Sequence, residues 1–62
     1  MKVYRTLWNG EEIFFTLDNN EIVLLEKDLS LTETPDFNQA CFLQAWELGL
    51  INNYEEVCDE SV

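Results

Sequence analysis

The chain has 62 residues, 47% of them hydrophobic and 13% aromatic, with thirteen acids against three bases and a formal net charge of −10. That length holds one small domain and no second core. So negative a charge excludes ordinary nucleic-acid binding, which rests on Lys and Arg neutralising phosphates, and argues equally against an anionic membrane surface.

No run approaches the roughly 20 apolar residues of a membrane span. No apolar stretch follows Met1-Lys2-Val3-Tyr4-Arg5 as it would in a signal peptide, so the expected location is the cytoplasm of the producing or host cell. The two cysteines do not make a disulfide framework. Cys41 lies in an apolar stretch, where a free Cys behaves as a small hydrophobe. Cys58 lies among acids that disfavour its thiolate. With no His and no C-x-x-C there is no zinc site to expect.

Three strand-like runs come first in chain order. Lys2 to Trp8 ends at Asn9-Gly10, the strongest short hairpin signal, because both central residues of a type I′ turn take positive φ. Glu11 to Asp18 follows, centred on Ile13-Phe14-Phe15-Thr16-Leu17. Asn19-Asn20 is a second candidate for the same turn, and Glu21 to about Lys27 is the third run. Two-residue loops fix the register: Trp8 opposite Glu11, Thr6 opposite Ile13, Tyr4 opposite Phe15, Leu17 opposite Ile22, Phe15 opposite Leu24 and Ile13 opposite Glu26.

One face of the sheet then carries Tyr4, Thr6, Trp8, Ile13, Phe15, Leu17, Ile22 and Leu24. The other carries Val3, Arg5, Leu7, Phe14, Thr16, Val23 and Leu25. Both are apolar, whereas a sheet with one wet face alternates cleanly.

Asp28 to Glu33 reads as a connection. Thr34 as cap, Pro35 in the first helical position and Asp36 near the positive helix end mark a helix start. The helix is expected to run to about Leu48, with Gly49 as the C′ residue. Phe37, Cys41, Phe42, Ala45 and Leu48 share one stripe, which is expected to face the sheet. Leu43 and Trp46 fall outside it. The sequence thus predicts an α+β domain, a three-stranded antiparallel β-meander followed by one α-helix on one sheet face (β-β-β-α), over residues 1–53. Residues 54–62 read as an acidic, mobile tail, and capture of the terminal Glu60-Ser61-Val62 by a strand-adding domain is a minor alternative.

One helix covers one face only. The second face, through Val3, Leu7, Phe14, Val23 and Leu25, therefore calls for a homodimer or an obligate partner, or stays partly wet.

The chain offers little for catalysis. It has no His for acid–base work near neutral pH, no nucleophile elbow around Ser30 or Ser61, no Gly-rich phosphate loop and no EF-hand spacing. No catalytic residue, metal or cofactor is assigned, and the protein is read as a non-enzyme.

Function is expected in binding macromolecules. The leading reading is an acidic domain that occupies a basic, nucleic-acid-binding surface of a target protein, as an inhibitor or nucleic-acid mimic without binding nucleic acid itself. Its field would speed the encounter. Small size and acidity also fit the habit of virus-encoded inhibitors of host enzymes, an analogy of class and not of family. The contact residues expected are Asp18, Glu21, Glu33, Asp36 and Glu47, with Trp46 as the apolar anchor. The alternative is a small structural or regulatory subunit that assembles through the apolar sheet face, its acids a solvated rim.

Overall fold

The computed structural model describes residues 2–59, Asp59 by its backbone alone. Strands β1 (Lys2–Trp8), β2 (Glu11–Asp18) and β3 (Glu21–Leu25) form the meander, α1 (Phe37–Glu47) follows, and β4 (Glu55–Asp59) returns to the sheet. The order is β3-β2-β1-β4, so the first strand is internal and the last is an edge.

Both turns have the backbone their residues favour. Asn9 and Gly10 take φ of 52° and 80°, Asn19 and Asn20 of 53° and 68°, the left-handed values a type I′ turn requires. The register follows: Tyr4 opposite Phe15, Thr6 opposite Ile13 and Trp8 opposite Glu11 in one hairpin, Phe15 opposite Leu24 and Leu17 opposite Ile22 in the other. The β2–β3 ladder ends at Phe14 opposite Leu25, so the expected pairing of Ile13 with Glu26 is not made. The chain instead turns tightly: the Glu26 amide donates to the Ser30 carbonyl at 2.8 Å, and Leu31 bridges back to Leu25.

Ile13, Phe15, Leu24 and Phe42 are the buried centre, with Tyr4, Trp8, Leu17, Ile22, Leu43, Trp46 and Ile51 packed against it. Phe15 is the hub. Its ring lies 5.6 Å from Tyr4, 5.6 Å from Phe42, 5.2 Å from Trp46 and 5.4 Å from Tyr54. Such stacked, tilted and edge-on pairs stabilise beyond the area they bury.

The helix departs from expectation in its cap and its face. Asp36, not Thr34, is the N-cap, and with Gln39 it forms a capping box: the Asp36 carboxylate accepts the Gln39 amide and the Gln39 side chain accepts the Asp36 amide, both at 2.8 Å. Pro35 therefore lies outside the helix. The other end is as read: Gly49 takes φ 74°, its amide donates to Trp46 and that of Leu50 to Ala45, a Schellman motif.

Of the expected stripe, only Phe42 and Ala45 are buried; Phe37 is 85% and Leu48 67% exposed. Leu43 and Trp46, placed off the stripe, pack on the core instead. The reason is composition. Apolar and polar side chains are both spread round the helix, with Asn38, Gln39, Gln44 and Glu47 on different sides, so the 3.6-residue period that would select one face is nearly absent.

The second correction is β4. Glu55–Asp59, read as mobile tail, pairs antiparallel with β1, with a register shift between Val3 and Tyr4. Two of the three bases stand on β1 and meet it: Arg5 pairs with Glu55, and Lys2 Nζ lies 3.9 Å from Glu56 Oε1. The remainder of the tail, including Glu60-Ser61-Val62, lies outside the described residues.

Candidate functional site

The carboxylates stay where water reaches them. Glu11, Glu12, Asp18, Glu21, Glu26, Asp28, Glu33, Asp36, Glu47, Glu55 and Glu56 are all exposed. Turns, strand ends and the helix cap put them there, because those positions leave the side chain outside both packed faces.

The fold gathers eight of these acids into three places. At the Asn9-Gly10 end, Glu11, Glu12, Glu26 and Asp36 line a hollow of about 370 Å³ together with Lys27 and Gln39. The helix start is tied to this end by Asn38, whose side-chain amide donates to the Trp8 carbonyl at 3.1 Å and to Glu11 at 3.4 Å, while Asn9 donates to Asn38 at 3.0 Å. At the opposite end of β2, Asp18 stands directly across from Glu21. The third place is β4 with Glu55 and Glu56.

Asp18 and Glu21 are thus separated from Asp36 by the length of β2, roughly 24 Å at about 3.4 Å per residue. Asp36 is committed to the cap, and Glu33 and Glu47 flank α1 as exposed, separate charges. Trp46 is half-buried among Phe15, Phe42 and Tyr54, so its first task is packing.

Near β4 the charges are paired. The Arg5 guanidinium spans Glu55 on one side and Glu12, at 3.3 Å, on the other. These bonds hold its proton above the usual arginine range, Glu55 being the main cause. Arg5, Thr6, Leu7, Glu12, Asn53, Tyr54 and Glu55 line an open hollow of about 530 Å³. It was invisible in the sequence because it depends on β4 docking.

In the loop after β3, Asp28 accepts the Ser30 hydroxyl at 2.6 Å and the Ser30 amide at 3.0 Å, and these bonds draw its carboxyl below the ordinary range.

On the second sheet face, Val3 and Leu25 are already buried within one chain, at 0% and 3% exposure. What that face can offer a neighbour is the exposed Leu7 and the half-buried Phe14 and Val23. Cys41 and Cys58 are free thiols. Among the described residues no group of three or more His, Cys, Asp or Glu is arranged to hold a metal ion, and no helix is long and apolar enough to cross a membrane. No family model matches the chain, and neither curated proteins nor solved structures give a match.

Proposed function

We propose that this chain is a small, non-enzymatic protein-binding domain that occupies a basic surface of a target protein, in its sharpest form a site evolved for nucleic-acid phosphates. The observation that carries this reading is that all eleven described carboxylates lie on the exposed surface. Ten net negative charges over a longest dimension of 31 Å is roughly one per 3 Å, the linear density of a single nucleic-acid strand. One end of β2 supplies a contact point, where Asp18 stands across from Glu21. Asp36 and Trp46 serve the fold first, so the proposed contact set is weighted to Asp18, Glu21, Glu33 and Glu47.

The test is affinity capture from host lysate with elution in rising salt, then competition by a DNA duplex. The expected result is retention of nucleic-acid-binding proteins that moderate salt releases, since attraction between exposed charges is screened, and that the duplex displaces. Reversing Asp18, Glu21, Glu33 and Glu47 to Lys should abolish capture with the circular dichroism spectrum unchanged. Capture that survives both high salt and the reversals overturns the reading.

A further inference from the structure

The Asn9-Gly10 turn carries a group that the fold can use in one chemical form only. The Asn9 side-chain amide donates to Asn38 Oδ1 at 3.0 Å. The Asn38 amide in turn donates to the Trp8 carbonyl at 3.1 Å and to Glu11 at 3.4 Å. The relay runs in one direction, from the turn to the helix start and back to the sheet. Its first member must donate, and an ionised carboxylate in that place can only accept.

The same dipeptide is chemically labile. An asparagine carboxamide is open to attack by the backbone nitrogen of the next residue, and a glycine there, with no side chain, hinders the approach least. No other asparagine of the chain precedes a glycine. Asn9 and Gly10 are both exposed, and a Cβ on Gly10 would meet nothing within 4 Å. Among the described residues the Gly10 amide makes no backbone hydrogen bond, so nothing in the fold occupies its nitrogen.

We propose that Asn9 is a site of spontaneous deamidation, that its bond to Asn38 governs the rate, and that the product unties α1 from the first turn. The Gly10 nitrogen gives its proton to solvent base and forms a bond to Asn9 Cγ. The Cγ–Nδ2 bond breaks, and Nδ2 takes a proton from solvent and leaves as ammonia. The five-membered succinimide so formed takes up one water at either carbonyl and opens to aspartate or isoaspartate. Carboxamide and water become carboxylate and ammonia, with no oxidation or reduction.

Two observations tie this chemistry to the fold. Attack requires the carboxamide to leave Asn38 and bring its carbon onto the Gly10 nitrogen, so the 3.0 Å bond opposes the reactive geometry. The relay then cannot accommodate the product. A carboxylate at position 9 faces Asn38 Oδ1 with no proton between them. Turning the Asn38 amide over sets its oxygen against the Trp8 carbonyl and the Glu11 carboxylate, so neither orientation satisfies every partner. The new charge also joins the chain's ten at the end of the sheet where Glu11, Glu12, Glu26 and Asp36 line their hollow. The hairpin itself survives the aspartate product, because Asp-Gly also suits a type I′ turn. Isoaspartate, with one methylene more in its backbone, does not fit that turn. The proposal does not rest on the acidic-surface reading.

The test is incubation of the full chain in mildly alkaline buffer, with peptide mass spectrometry reading amide-to-acid conversion at each asparagine. Conversion is expected at Asn9 ahead of Asn19, Asn20, Asn38, Asn52 and Asn53. Asn38→Ala should speed it about fivefold, the worth of one ordinary hydrogen bond. Asp36→Ala, which weakens the same helix start without touching Asn9, should speed it less. Asn9→Asp, which supplies the aspartate product directly, should raise hydrogen exchange at the Ala40 amide, the donor to the Asp36 carbonyl in the first helical turn. A chain whose Asn9 stays intact, or converts after another asparagine, overturns the proposal. Asn38→Ala with an unchanged rate, or one that Asp36→Ala matches, removes the control by Asn38. Unchanged Ala40 exchange in Asn9→Asp removes the untying of the helix.

Discussion

Asp36 shows how one side chain can be claimed by the fold before any partner reaches it. Its carboxylate satisfies one of the orphan amides at the helix start, and Gln39 answers in the reverse direction. Asp36→Ala is expected to cost about 1 kcal/mol in urea unfolding, a large fraction of what so small a domain has to spare. Glu33→Ala, exposed and three residues earlier, should cost almost nothing. The contrast separates a capping acid from one held for its charge alone.

Asp28 gives a residue-scale test of pH. Its bonds to Ser30 stabilise the ionised form, so its folded pKa lies below the unfolded one. The stability it contributes is present above the ordinary carboxylate range and is lost as pH falls through the folded value. The Ser30 amide resonance should therefore move with a midpoint below 3.8, the value of a free aspartate. A midpoint at or above that value would mean the bonds are not formed in solution.

At the scale of elements, legibility depended on whether the controlling signal was local. The two hairpins could be read because Asn9-Gly10 and Asn19-Asn20 need only their own backbone preference, and register propagates from them by counting. The end of the helix could be read nearly as well, since Gly49 marks it in any context, whereas its cap, Asp36, stands two residues beyond the expected Thr34. The buried face of the helix could not, because Phe37, Leu48, Leu43 and Trp46 are equally apolar and only the sheet decides among them. For the same reason the exposure of the acids could be anticipated, but not the gathering of Glu11, Glu12, Glu26 and Asp36 around one hollow, which requires the helix position.

β4 was hidden by composition. Glu55-Glu56-Val57-Cys58-Asp59 is a poor strand sequence on its own. Its signal lay at the other end of the sequence, in the two bases of β1. Surface ion pairs contribute little singly, but like charges directly opposed across a ladder destabilise it. Glu55→Lys with Glu56→Lys is therefore expected to speed hydrogen exchange of the β4 amides roughly tenfold, while the amides of β1–β2 shared rungs stay protected. Uniform deprotection would show that β4 unfolds only with the whole domain.

For the whole molecule, the feature that matters is the pairing of Lys2 with Asp59. It makes the chain a closed circuit: its first and last strands are antiparallel neighbours, and the two ends of the circuit leave from the same rung. A pulling force applied at residues 2 and 59 would not load the β1–β4 hydrogen bonds together. It would open them one after another from that rung, like a zipper, and each bond is worth only about 1 kcal/mol net. In an optical trap, handles at these two positions should peel β4 away at low force before the meander yields. Handles at residues 2 and 55, at opposite ends of the β1–β4 ladder, load its bonds together and should need a higher force. The same geometry bears on turnover in the cell. A machine that threads the chain from the β4 side meets the least resistance first, and with β4 removed the flank of β1 that carries Lys2 and Arg5 stands bare.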